Sequence, residues 1–108
     1  MTLNELSAHT AWKRSGCLDD QVITGLFVGD LLSYVMGHAL EGQIWVTMQN
    51  HINSIGVANL KELSAIVLID GLSFDEDLVE KAKANHIALF TSPVNAVDTL
   101  RTLIALGL

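Results

Sequence analysis

The amino-acid sequence predicts an α/β domain of three layers with a mainly parallel sheet, on three observations. Short segments of apolar and β-branched residues begin at Ile44, Ala65 and Ile87, at nearly equal intervals along the chain. Each interval holds one strand and one helix, and crossovers between parallel strands are right-handed in nearly all proteins. Each segment is followed by an apolar pattern of helical period, which predicts right-handed strand–helix–strand units. In the segment Ile44–Asn53, a buried strand leads into a polar tip without glycine or proline.

Length and composition predict one domain, residues 1–108, and a subunit interface. Half of the 108 residues are hydrophobic and only 17% are charged. A chain of ~100 residues has limited interior volume, so some of this apolar surface is expected to lie between subunits. We therefore expect a homodimer, with the apolar segment Leu31–Leu40 as the best candidate for part of its interface.

Charge and hydrophobic patterning argue against several partners. The formal charge is −6, with 6 basic and 12 acidic residues, whereas a phosphate backbone requires a clustered positive surface. Nucleic acid is therefore not an expected partner. No apolar run approaches the ~18 residues that cross a bilayer, so no membrane association is expected. The first residues lack the pattern of a signal peptide, which predicts a cytoplasmic protein.

Cysteine and histidine usage predicts no metal and no cofactor. Cys17 is the one cysteine, so the chain has no internal disulfide and no cysteine metal cluster. The acidic residues that follow it disfavour a reactive thiolate. His9, His38 and His86 are scattered and lack the spacing of metal ligands. A dyad of Cys17 with a histidine stays open, without supporting context.

The sequence of the amino-terminal part predicts several short helices and strands. We expect these elements at one edge of a sheet of three parallel strands. These are a helix over residues 2–9, a strand over residues 11–14 ended by Ser15-Gly16, and a strand over residues 22–24. Gly25 and Gly29 are expected at sharp turns. Asp30 is expected at the N-cap of a helix whose apolar stripe runs to Leu40, and Gly42 at its C′ position.

From residue 44 onwards strands and helices alternate. The predicted strands are Ile44–Thr47, Ala65–Ile69 and Ile87–Thr91. A helix follows each strand, the second opening with a capping box of Ser73 and Glu76 and ending near Asn85. The last helix starts at about Asn95. Apolar residues expected to face the core are Ile52, Ile55, Leu60, Leu63, Leu78, Val79, Ala82, Val97, Leu100 and Ile104.

Three segments resemble the small stand-alone DRTGG-domain proteins of bacteria. They are Val-Ile-Thr-Gly at 22–25, Gly-Asp-Leu-Leu-Ser-Tyr-Val-Met at 29–36, and Gly-Gln-Ile-Trp-Val-Thr-x-Gln-x-His at 42–51. The resemblance covers nearly the whole chain. Such proteins are similar to the amino-terminal domain of HPr kinase/phosphorylase and to the middle domain of long phosphotransacetylases. The resemblance implies a dimeric three-layer α/β domain with a regulatory or sensing role.

The chain departs from the motif that names this family. Gln49-Asn50-His51 stands where the family has Gly-Asp-Arg, and Ile69-Asp70-Gly71 stands where it has Thr-Gly-Gly. Only the last glycine is retained, and the arginine is not.

Polar residues at predicted strand ends form the candidate ligand site, because ligands of open α/β sheets bind at the carboxyl ends of the strands. A polar rim with exposed helix amides suits an anion or the edge of a nucleobase. The alternatives are that Asn50 or Asn53 only caps a helix, that Asp30 does the same, and that Asp70-Gly71 only forms a turn. The candidate residues are Asp30, Thr47, Gln49, Asn50, His51, Asn53, Asp70 and Gly71.

The sequence contains no catalytic signature. No lysine is followed by serine or threonine, which excludes a phosphate-binding loop of the Walker type, and no Gly-x-Ser-x-Gly elbow is present. We therefore expect a non-catalytic, dimeric regulatory module that binds a small phosphorylated ligand or nucleotide at the carboxyl edge of the parallel strands. The alternative is a ligand-free dimeric adaptor that binds a partner enzyme or signalling protein.

Overall fold

Five strands and five helices make up the chain, and the computed structural model describes all 108 residues. The strands are β1 Lys13–Gly16, β2 Gly25–Val28, β3 Gln43–Thr47, β4 Ala65–Leu68 and β5 Ala88–Thr91. The helices are α1 Leu3–His9, α2 Leu32–His38, α3 Asn53–Leu60, α4 Glu76–Ala84 and α5 Ala96–Ala105. None of these helices is long and apolar enough to span a membrane.

The strands form one sheet in the order β1-β5-β4-β3-β2. The four strands β2 to β5 are parallel, and β1 pairs antiparallel with β5. The predicted mainly parallel sheet is confirmed, but it has four parallel strands instead of three. Gly25 is the first residue of β2 and pairs with Gln43, so the turn predicted at Gly25 is wrong. The amino-terminal elements accordingly lie on both edges of the sheet.

Helices cover both faces of the sheet, which confirms the three-layer architecture. Side chains along β3 alternate: Trp45 packs with α2, α3 and α4, whereas Ile44 and Val46 pack with α1 and α5. All four residues of β4 are buried, as expected for a strand covered on both faces. The carboxyl ends of the parallel strands therefore meet at one edge, between the two helical layers.

Several predicted helix ends are wrong. Asp30 does not cap α2; its N-cap is Leu31, which makes no side-chain capping bond. Gly42 is left-handed, with φ of 80°, but it lies beyond the C-cap Ala39. The N-cap of α4 is Asp75, so the predicted box of Ser73 and Glu76 does not form. A capping box does form at α1, between Thr2 and Glu5. The predicted start of the last helix near Asn95 is confirmed, and Asn95 is its N-cap.

The core faces of α3 and α5 also differ from the prediction. Leu60 is 71% exposed, and Val97 and Ile104 are 58% and 61% exposed. Thr99 and Leu103 are the buried residues of α5. The hydroxyl of Thr99 satisfies its hydrogen bonding with Ser92 at 2.7 Å, which lets a polar residue occupy a core position.

Candidate functional site

The ends of β2 and β3 are joined by a carboxylate. Asp30 Oδ1 accepts hydrogen bonds from the Thr47 hydroxyl at 2.7 Å and from the Met48 backbone N–H at 2.8 Å. Thr47 is only 2% exposed, so its hydroxyl requires a partner inside the protein. By accepting both bonds, the Asp30 carboxylate links the segment after β2 to the segment at the end of β3.

Gln49 extends this junction. Its backbone N–H donates to the Thr47 hydroxyl at 3.0 Å, and its side-chain amide donates to the Asp30 carbonyl at 2.8 Å. The indole N–H of the buried Trp45 donates to the Gly29 carbonyl at 2.7 Å. The structure thus brings Asp30, Thr47 and Gln49 together. The polar groups that were predicted to bind a ligand already form hydrogen bonds with one another.

Asn50, His51 and Asn53 form the turn into α3. The Asn50 side-chain amide donates to the Ser73 carbonyl at 3.3 Å and so leaves its own oxygen free. His51 Nδ1 accepts the Asn53 backbone N–H at 3.1 Å, and the Ser54 hydroxyl donates to the His51 carbonyl at 2.7 Å. Because Nδ1 is the acceptor, the neutral imidazole carries its proton on Nε2 and can donate outward.

A cleft of about 300 Å³ opens between this turn and the first turn of α4. It lies beyond the carboxyl end of β3, where open α/β sheets bind ligands. Two of the predicted site residues line it, together with two carboxylates and two apolar side chains. We call this the carboxyl-edge cleft, and its lining residues are Asn50, His51, Ile52, Asp75, Asp77 and Leu78.

The charge of the carboxyl-edge cleft is negative. Asp75 and Asp77 are both exposed, and no lysine or arginine lines the cleft. The N-cap Asp75 makes no side-chain capping bond, so its carboxylate does not occupy the backbone N–H groups of the first turn of α4. The cleft therefore offers carboxylate acceptors, an amide oxygen and an imidazole donor around an apolar floor.

Asp70 and Gly71 lie on another part of the same edge. Both are left-handed, with φ of 58° and 64°, and their backbone N–H groups donate to Val94 and Ser92 carbonyls at 2.8 and 2.9 Å. This turn fastens the end of β4 to the loop that leads into α5. Neither residue lines the carboxyl-edge cleft, and Gly71 is suited to its left-handed conformation.

Sequence reasoning missed Asp75 and Asp77 as part of the site. The segment Asp75-Glu76-Asp77 is visible in the sequence as an acidic first helical turn, which the helix dipole alone explains. What the sequence could not show is that the turn after β3 reaches the start of α4. The hydrogen bond from Asn50 to Ser73 is one of the contacts that make this connection.

Comparison with known proteins identifies a likeness of fold. No protein-family model matches the chain, and no curated protein sequence matches it significantly. The fold is similar to a crystal structure of the CBS and DRTGG domains of the regulatory region of Clostridium perfringens pyrophosphatase, complexed with its activator diadenosine tetraphosphate. The TM-score is 0.74 at 14% sequence identity, over 94% of this chain and 45% of that chain.

This likeness concerns the fold alone, since the identity is 14% and the chain spans less than half of the other protein's length. It supports the DRTGG-like fold that the sequence resemblance implies. A specific similarity to HPr kinase/phosphorylase or to phosphotransacetylases stays a prediction. The chain has the fold of a domain found in an enzyme's regulatory region.

Proposed function

We propose that this chain is a non-catalytic regulatory module that binds a small nucleotide or phosphorylated ligand at the carboxyl edge of its parallel strands. The observation that carries the proposal is the carboxyl-edge cleft, formed where two strand–helix turns meet. Its volume of about 300 Å³ is at the lower end of the range of small-molecule sites. The structurally similar regulatory region binds an adenine nucleotide activator, which supports the same class of ligand here.

The chemistry of the cleft favours the nucleoside part of such a ligand over its phosphates. The carboxylates of Asp75 and Asp77 accept hydrogen bonds from ribose hydroxyls or an exocyclic amine, and His51 Nε2–H donates to a ring nitrogen or a carbonyl. Ile52, which is 37% exposed, provides apolar contact for the face of a base. Phosphates would extend towards solvent, because a cleft with two carboxylates and no basic side chain repels them.

A second copy of the chain is part of the proposal. The α2 region exposes Leu31, Tyr34 and Leu40 by 67%, 50% and 65% of their surfaces. The adjacent β2 is an edge strand whose outer side has no partner in the sheet. An apolar helix beside an open strand edge supports a homodimer built on this side of the molecule.

A ligand screen followed by an NMR titration tests the proposal. Nucleosides, nucleotides, phosphosugars and acyl phosphates are screened by thermal shift, since a ligand at 100 times its dissociation constant adds ~2.7 kcal/mol of stability. Amide shifts on titration are expected at residues 50–52 and 75–78. Shifts confined to the opposite edge of the sheet, around Gly42, Gln43 and Ser64, would contradict the site.

A matched pair of variants separates the cleft from general charge effects. Asp77→Asn removes a carboxylate that lines the cleft, whereas Glu80→Gln removes one from the same helix outside it. We expect Asp77→Asn to weaken nucleoside binding roughly tenfold or more, the usual cost of losing a charged hydrogen-bond partner. Glu80→Gln should leave the affinity unchanged. Equal effects of the two variants would show that the cleft is not the site.

The alternative function is a dimeric adaptor without a small ligand. The departure from the Gly-Asp-Arg sequence at residues 49–51 and the acidic cleft favour it. Under this alternative no compound in the screen raises the melting temperature. A partner protein would then shift amides outside the cleft in the same NMR experiment.

A further inference from the structure

Three potential metal ligands converge at the opposite edge of the sheet from the carboxyl-edge cleft. Cys17 Sγ, a carboxylate oxygen of Asp19 and a ring nitrogen of His86 all lie within 4.8 Å of one another. Cys17 and Asp19 follow β1, whereas His86 lies between α4 and β5, in a distant part of the sequence. We propose that these three side chains form a zinc site.

The backbone holds the three residues in place. Gly16 packs against Ile87 so closely that a Cβ atom at Gly16 would lie 2.6 Å from the Ile87 carbonyl oxygen. The Cys17 N–H then donates to that same oxygen at 2.9 Å. This close approach of β1 to the start of β5 is what sets the thiol of Cys17 beside the imidazole of His86.

Neighbouring side chains donate hydrogen bonds to the backbone carbonyl groups of the other two ligands, Asp19 and His86. Arg14 donates to the Asp19 carbonyl at 3.0 Å, and the side chain of Gln21 donates to the His86 carbonyl at 3.1 Å. These contacts fix the backbones and leave the carboxylate and the imidazole free to turn towards an ion.

The donor set selects the metal. A thiolate, an imidazole and a carboxylate are the ligand types of zinc, whereas calcium and magnesium prefer oxygen ligands throughout. With bonds of about 2.0–2.3 Å, a tetrahedral zinc ion keeps its ligand atoms roughly 3.4–3.6 Å apart. Asp19 and His86 are exposed, so their side chains can close the remaining distance by rotation.

Three protein ligands leave a fourth zinc position for water or another small ligand. His86 also lines a cavity of about 350 Å³ together with Glu41, Asn59 and Glu62. Cys17 is only 5% exposed and shields the other side of the ion from solvent. Binding converts the thiol to a thiolate and releases its proton to solvent.

Calorimetric titration of the full chain with Zn²⁺, and absorption spectroscopy with Co²⁺ in its place, test the site. We expect one ion per chain and the charge-transfer band of a cobalt–thiolate bond, which can come only from Cys17. His86→Asn removes the ring but keeps a residue type that tolerates the left-handed conformation, which His86 adopts with φ of 60°. This variant should weaken zinc binding by more than ~10–100-fold, which is the typical loss when a residue that only hydrogen-bonds to a metal ligand is replaced.

His9→Asn is the matched control, because it removes an exposed imidazole that belongs neither to the three-residue cluster nor to the carboxyl-edge cleft. It should bind zinc like the parent chain, and Asp19→Asn should bind more weakly. Circular dichroism without metal establishes that each variant is folded, and Asp19→Asn changes only an exposed side chain. Equal affinities for His86→Asn and His9→Asn, or a cobalt complex without the thiolate band, would overturn the site.

Discussion

The carboxylate of Asp30 and the hydroxyl of Thr47 lie 2.7 Å apart, although the two residues are separated by 17 positions. The same carboxylate oxygen also accepts the Met48 N–H at 2.8 Å. This pair joins β2 to β3 beyond the last residues that pair within the sheet. Asp30 and Thr47 therefore support the edge on which the carboxyl-edge cleft is built, whatever that cleft binds.

Replacing Asp30 by alanine should destabilise the fold. The Thr47 hydroxyl would lose its acceptor inside the protein, and hydrogen bonds to a charged group contribute about 1.5–3 kcal/mol. We expect the free energy of unfolding to fall by roughly 1–3 kcal/mol, measured by urea denaturation. Asp75→Ala is the control, because this exposed N-cap carboxylate makes no capping bond. Similar losses for the two variants would contradict a specific role for Asp30.

The overall architecture could be predicted because it depends on local patterns. Apolar strands at nearly equal intervals and helices of regular period suffice to define parallel strand–helix–strand units. β2 was misplaced because Gly25 and Gly29 read as turn residues, whereas pairing with β3 determines the strand. The capping errors have the same origin: Asp30 is a good capping residue by type, but a tertiary contact with Thr47 uses its carboxylate.

The candidate sites could be predicted only in part, for a similar reason. The polar rim of Asn50 and His51 follows directly from residue types after a strand. Its partner in the cleft, the first turn of α4, follows a different strand and reaches the rim through tertiary contacts, among them the hydrogen bond of Asn50 with Ser73 and the packing of Ile55 with Leu78. Cys17 and His86 show no ligand spacing at all, and only the antiparallel pairing of β1 with β5 places them together.

Val46→Asp should abolish cooperative folding, whereas His51→Ala should not. Val46 is 1% exposed and lies in β3 between β2 and β4, so an unpaired carboxylate there costs several kcal/mol. His51 is exposed and contributes one side-chain hydrogen bond, worth about 1 kcal/mol. Thermal melts followed by circular dichroism compare the two variants. A Val46→Asp chain that melts like the parent would show that β3 is not an interior strand.

Glu41 gives the stability of the fold a pH dependence of known sign. A hydrogen bond between the carboxyl groups of Glu41 and Glu62, followed by their charge repulsion, raises the pKa of Glu41 above its ordinary value of 4.5. The stabilisation from the protonated pair is complete below about 4.5 and is lost as the pH rises through the raised pKa. Glu41→Gln keeps a donor for Glu62 without the repulsion.

Glu41→Gln should therefore match the parent chain near pH 4.5 and exceed it in stability as the pH approaches neutrality. Urea denaturation midpoints across this range measure the difference, with a chelator present to exclude any metal. Glu80→Gln, which removes a carboxylate that pairs with Lys83 at 3.6 Å, should show no gain on raising the pH. A Glu41→Gln chain whose advantage does not grow with pH would contradict the carboxyl pair.

The parent chain should be a homodimer in solution, with the α2 region and the edge strand β2 at its interface. Stable interfaces bury roughly 1,200–2,000 Å² in total, or about 600–1,000 Å² from each subunit. The surface of one chain is 5529 Å², and Leu31 and Leu40 at the two ends of α2 are 67% and 65% exposed. In a two-fold symmetric interface each substituted residue occurs twice. Leu31→Glu therefore places two added carboxylates in an apolar contact.

Sedimentation equilibrium at micromolar concentration should show a species of twice 11.7 kDa for the parent chain. Leu31→Glu should shift it to a monomer. Ile104→Glu is the matched control, since Ile104 is 61% exposed on α5, which covers the opposite face of the sheet. It should remain dimeric at the same concentration. A parent chain that sediments only at 11.7 kDa would refute the dimer, and dissociation by Ile104→Glu alone would move its interface to α5.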